Sequence, residues 1–205
     1  LECTHDYQNS PYYFGDDPRP HLWKGYDADS QTDEACRYLK EELTEKSFAL
    51  VLSWGPPHNP FGTASTEFQE MYNPDDMILP PNVPEETAEA ARSELAGYYA
   101  HCSALDAAFG RLMDSLKETG HDRDTIVLFT SDHGDMLGSQ NHFRKQRPWA
   151  ESVNVPFLVR HPLVPEARSQ HDPIDAPDIM PTLLSLCDLP VPTQLQGTDF
   201  STTAL

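Results

Sequence analysis

Apolar residues recur at intervals of three and four between Glu85 and Thr119, where Leu95, Tyr98, Tyr99, Cys102, Leu105, Phe109, Leu112, Met113 and Leu116 form a stripe. That period predicts a long amphipathic helix, with Gly120 as its stop. A shorter stripe of Ala35, Cys36, Leu39 and Leu43 predicts a helix over Thr32–Lys46, with Thr32 or Asp33 as its cap. Two continuous apolar runs, Phe48–Trp54 and Thr125–Thr130, read as strands, the first short enough to be buried on both faces. With the long helix between them, they predict a parallel pair joined by a right-handed crossover. Pro156–Arg160 is a further strand candidate, and Asp178 is expected to cap a last helix through Cys187 with Pro181 in its first turn. Residues 1–31 read as a loop-rich entry segment, and Phe61–Pro84 as a long surface loop. The order of elements is that of an α/β fold, a mostly parallel sheet flanked by helices.

The strand that begins at Thr125 runs out into Ser131-Asp132-His133-Gly134-Asp135. In open α/β sheets the carboxyl ends of the strands face the ligand crevice, so Asp132 and His133 are placed to share one cation there. Gly134 lets the backbone turn closely beside them. The segment Gly55-Pro56-Pro57-His58-Asn59-Pro60 ends the other predicted strand in a stiff turn that presents His58, which on residue type alone is either an acid or a structural histidine.

Composition narrows the chemistry. Over 205 residues, 14 Lys plus Arg stand against 33 Asp plus Glu, a net charge of −19, which argues against nucleic acid or an anionic membrane surface as a partner. An anionic substrate would be repelled at long range, so binding one requires local cations. Arg144, Lys145 and Arg147 supply such a concentration just after the Asp-His-Gly loop; alone, each also reads as a surface charge. Cys3, Cys36, Cys102 and Cys187 fit no CxxC pattern, and the last three are expected to be buried thiols. No run approaches the roughly 20 apolar residues that a membrane span needs.

The run Ser131-Asp132-His133-Gly134-Asp135-Met136-Leu137-Gly138-Ser139, followed by Lys145-Gln146 and Glu151–Phe157, resembles a signature region of the sulfatases, a family of the alkaline phosphatase superfamily. Leu52–Phe61 resembles the family's strand and proline turn before a histidine, and Asp178–Leu184 its late helix. The resemblance implies an alkaline-phosphatase-like fold and hydrolysis of sulfuric esters. It makes Asp132 and His133 metal ligands, Lys145 a holder of sulfate oxygen, and His58 a catalytic and substrate-binding residue that protonates the departing alcohol. Arg147 is a further candidate to meet substrate.

On this resemblance the metal is calcium, with manganese kept open because imidazole suits it better. The family nucleophile is a formylglycine made within a C/S-x-P/A-S/A-R segment, and no cysteine or serine here begins such a segment. The chain is therefore expected to be one partial sulfatase catalytic domain, its middle and C-terminal portion, needing the remainder of the sulfatase chain and inactive by itself. The implied substrate is a sulfated small molecule or glycan. Two other readings remain: a phosphonate monoester or phosphodiester hydrolase of the same superfamily, and a non-catalytic binding protein.

Overall fold

In the computed structural model, which describes residues 5–43, 47–164 and 166–204, the first of two units opens with a hairpin: β1 (Pro11–Tyr12) pairs antiparallel with β2 (His21–Leu22). The loop-rich entry segment thus holds a small ladder, with Tyr12 stacked on Trp23 at 3.9 Å between ring centroids. Helix α1 (Asp27–Arg37) follows and passes into a π-helical turn over Tyr38–Glu42. It begins five residues before the predicted cap. Asp27 and Asp29 place negative charge in its first turn, where the helix dipole favours it, and Thr32 is mid-helix, its hydroxyl bonding back to the Ala28 carbonyl at 2.6 Å. The predicted continuation through Thr44–Lys46 lies outside the described residues, as does Cys3.

The run Phe48–Trp54 takes no part in a helix or a ladder. Val51 is 90% exposed and Leu50 41%, so the expected burial on both faces is not met within this chain. A strand buried on both faces needs neighbours at its edges and cover on each side; among the described residues no strand pairs with this run, and its cover is partial, with Phe48, Leu52 and Trp54 half-buried and the residues between them exposed. Short helical turns, among them α2 (Thr66–Gln69), fill the predicted surface loop and lead to α3 (Ala88–Glu118), the 31-residue helix that the periodicity foretold. Gly120 ends it at φ +79°.

The face that α3 buries differs from the predicted stripe. Ala91, Ala100, Ala104 and Ala108 are covered together with Leu95, Leu105 and Leu116, while Tyr99 is exposed. Small residues let neighbouring backbone come close: a Cβ on Gly97 would lie 2.5 Å from the Phe61 carbonyl oxygen. Tyr7, Tyr26, Ala28, Ala104 and Leu105 make the core here, with Trp54 and Phe68 against it. His101 is fully buried; its Nδ1 meets the Tyr26 hydroxyl at 2.7 Å and its Nε2 lies 3.3 Å from Thr63 Oγ1.

Burial lowers the His101 pKa from 6.5 to about 4. The folded ring stays neutral where an unfolded one takes up a proton, so this stabilisation is complete above pH 6.5 and drains away as pH falls towards 4. At about 1.4 kcal/mol per pKa unit the loss is on the order of 3 kcal/mol. Urea unfolding of the full-length protein at pH 7 and pH 4.5 should show a steeper acid loss for the wild type than for His101→Gln. Equal losses would exclude His101 as the source.

In the second unit, β3 (Val127–Thr130), α4 (Ala150–Val153) and β4 (Phe157–Arg160) are followed by α5 (Ala176–Leu186) and α6 (Ser201–Ala204). Strands β3 and β4 occur where predicted and pair antiparallel, with Val127 opposite Arg160 and Thr130 opposite Phe157. Both sheets among the described residues are therefore two-stranded and antiparallel. The parallel pairing expected of Phe48–Trp54 is absent because that run joins no ladder; α/β character remains, with helices outweighing the small sheets.

Asp175, and not Asp178, caps α5. Asp178 closes the capping box by accepting from the Asp175 amide at 2.8 Å, and its other oxygen accepts from the Thr198 amide at 2.7 Å. Pro181 lies beyond the first turn and is buried; the Pro177 carbonyl that it leaves without a helical donor is approached by Gly197, where a Cβ would stand 2.0 Å away. Cys187, expected to be buried, is exposed after the helix end, whereas Cys36 and Cys102 are half-buried. Burial pushes the Cys102 thiol up to about 11, so it acts as a small apolar group.

Candidate functional site

The turn after β3 is held by its own polar groups. Ser131 Oγ donates to the His133 carbonyl at 3.0 Å, and the His133 amide donates to Asp132 Oδ1 at 3.0 Å. The Gly134 amide then donates to the Ser152 carbonyl on α4 at 2.9 Å. A Cβ on Gly134 would fall 2.1 Å from the Glu151 carbonyl oxygen, so the residue must be glycine for want of room.

His133 donates from Nδ1 to the Gly134 carbonyl at 2.8 Å, which leaves Nε2 to carry the lone pair in the neutral ring. That nitrogen lies 3.5 Å from Asp132 Oδ2, and the Asp132 side chain is 84% exposed. Two electron-rich atoms so placed repel one another unless a proton or a cation lies with them. Their separation is close to the roughly 3.0–3.4 Å between adjacent ligands of one octahedral cation with bonds of about 2.1–2.4 Å. The pair therefore fits a divalent metal, with the Gly134 carbonyl orienting the imidazole. Among the described residues, no group of three or more His, Cys, Asp or Glu side chains is arranged to hold a metal ion.

Lys145 and Arg147 lie on a segment tied to the same turn. The Arg144 amide donates to Asp135 Oδ1 at 3.0 Å, and the Arg147 amide to Ser152 Oγ at 3.3 Å. Asp135 is thus a loop brace. Arg144 and Gln146 both occupy the left-handed region, at φ +72° and +66°, a conformation that costs side-chain-bearing residues energy and that these anchors hold. Lys145 is half-buried and Arg147 exposed.

His58 belongs to the first unit. Its amide donates to the Gly55 carbonyl at 3.2 Å and its Nδ1 to the Asn59 carbonyl at 2.8 Å. The Nδ1 proton is therefore held in both charge states of the ring, and the exchangeable proton is the one on Nε2. The His5 ring lies face to face with it, centroids 4.4 Å apart and planes 9° apart. The aperiodic run before the hairpin gave no sign of that contact.

The sulfatase family model matches residues 2–189. An ulvan-active sulfatase from Formosa agariphila is 39% identical over 206 residues, an alignment that takes in 98% of this chain and 40% of that protein. A structure from Bacteroides thetaiotaomicron, solved in work on the metabolism of multiple glycosaminoglycans, superposes with a TM-score of 0.89 at 32% identity over 96% of this chain and 42% of its own. A phosphonate monoester hydrolase from Silicibacter pomeroyi has the same fold, with a TM-score of 0.76 at 22% identity, covering 98% of this chain and 46% of that one. The chain thus spans less than half the length of each.

Proposed function

As the chain belongs to the sulfatase family of the alkaline phosphatase superfamily, we propose that the whole protein hydrolyses a sulfuric ester, and that these 205 residues are one partial catalytic domain entered through residues 1–31. The observation that carries the reading is the Asp132–His133 pair, a carboxylate and an imidazole 3.5 Å apart with the ring's other nitrogen pinned. These two would hold the metal, calcium by family resemblance or manganese by ligand type, and when bound it supplies positive charge to the sulfate oxygens. The formylglycine nucleophile that the resemblance implies would come from outside these residues.

The chain's own side chains divide the remaining work. The Lys145 ammonium and the Arg147 guanidinium offset negative charge on the sulfate as the S–O bond to the alcohol lengthens. As the sulfuryl group would pass to the nucleophile from outside these residues, the electron pair of the broken S–O bond goes to the leaving oxygen, and the proton on His58 Nε2 neutralises it; Nδ1 keeps its own proton, hydrogen-bonded to Asn59 O, throughout. A sulfated glycan is the favoured substrate class, supported by the relative active on ulvan.

Sulfate release from sulfated polysaccharide fragments by the full-length protein, run beside a phosphodiester and a phosphonate monoester, tests the reading. Faster turnover of the sulfate ester is expected. Phosphodiesterase activity without sulfate release would replace it with the sister activity, and no turnover of any ester would favour a binding role.

A further inference from the structure

We infer that His5 is a positioning residue for His58, fixing the plane of the imidazole that protonates the leaving oxygen; the inference rests on the acid role proposed above. The bond from His58 Nδ1 to the Asn59 carbonyl constrains one edge of the ring. The His5 ring, parallel to within 9° at 4.4 Å, lies against its face and resists tilting out of that plane.

The stack is built into the surrounding chain. His5 holds a φ of +51°, an uncommon conformation for a residue with a side chain and one more often taken by His, Asn and Asp than by others. Two residues on, Tyr7 is buried and its hydroxyl donates to the same Asn59 carbonyl at 3.5 Å. Next to it, Gln8 Nε2 donates to the Thr63 carbonyl at 2.8 Å. A Cβ on Gly55 would stand 2.7 Å from the Tyr7 ring, so the two segments lie in close contact at the start of the turn as well. The stretch from His5 to Gln8 thus runs as a brace along the His58 turn, and its first residue is the one whose ring meets the imidazole.

The test uses the full-length protein, with one sulfate ester of an acidic nitrophenol and one of a sugar hydroxyl. His58→Ala should lower kcat far more on the sugar ester, since the poorer leaving group needs the proton. His5→Ala should show the same preference with a smaller loss, roughly tenfold in kcat and little change in KM, as expected for a catalytic group held slightly out of place. His5→Phe, which keeps a flat ring, should restore most of the loss, and His5→Ala placed on His58→Ala should cost nothing more. The positioning role is overturned if His5→Ala multiplies with His58→Ala, if His5→Phe is as impaired as His5→Ala, or if His5→Ala matches wild type on the sugar ester. A His58→Ala loss equal on both esters overturns the acid role instead, and the positioning role with it.

Discussion

Replacing Asp132 with alanine in the full-length protein is expected to lower kcat/KM by roughly a thousandfold or more, with a parallel fall in affinity for calcium or manganese. The arithmetic is that of a lost ligand: a cation at the reacting group contributes several kcal/mol of charge stabilisation, and each 1.4 kcal/mol is a factor of ten. Stability should hardly change. The Asp132 side chain is 84% exposed, and substitutions at such positions usually stay within about 0.5 kcal/mol. Metal titration monitored by calorimetry separates this from a folding defect, because only the binding isotherm should move. Unaltered metal affinity in Asp132→Ala would remove the carboxylate from the coordination shell. His133→Ala should behave alike, since the Nε2 fixed by the Nδ1 bond to Gly134 has no substitute in the turn.

That pair was legible because its two members are adjacent in sequence and follow a strand that the apolar run marks plainly. The long helix was legible for a similar reason, its period being local, and Gly120 takes the left-handed conformation expected of a stop. What the period could not say is which residues would be covered. Close approach near Gly97 and Phe61 needs small side chains, so alanines line the buried face while Tyr99 stands outside it. Hydrophobicity alone ranks a tyrosine above an alanine, and the close contact reverses the order.

Phe48–Trp54 illustrates a different limit. Its composition is that of a buried strand, yet burial depends on partners that no residue within the run specifies, and within this chain Val51 faces solvent. The cap of α5 lies three residues before the expected Asp178, because Asp175 and Asp178 are both good caps and only the hydrogen bonds tell them apart. The contact of His5 with His58 spans 53 positions of sequence and rests on a left-handed backbone at His5, which histidine adopts more readily than most residues but which its presence in a sequence does not mark.

Gly134→Ala should produce a second large effect, of a different kind. The added Cβ would sit 2.1 Å from the Glu151 carbonyl oxygen and 3.1 Å from its carbonyl carbon. Both are backbone atoms at the start of α4, so no side-chain rotation can relieve the overlap. One of the two chain segments must shift, stretching the bond from the Gly134 amide to Ser152. Overpacking of this sort costs about 1–3 kcal/mol. The same movement carries away the Gly134 carbonyl that orients His133, so metal affinity should fall with stability, whereas Asp132→Ala should lower affinity alone. Gly110→Ala serves as a control of opposite sign: it lies within α3, a Cβ there meets nothing within 4 Å, and alanine should stabilise the helix by about 0.5–1 kcal/mol. Urea unfolding of the three full-length variants, followed by metal titration of each, distinguishes the cases. If Gly134→Ala unfolds at the wild-type urea concentration, the turn is looser than the 2.1 Å approach requires, and the orientation of His133 must be maintained by something other than the fit of Gly134 against α4.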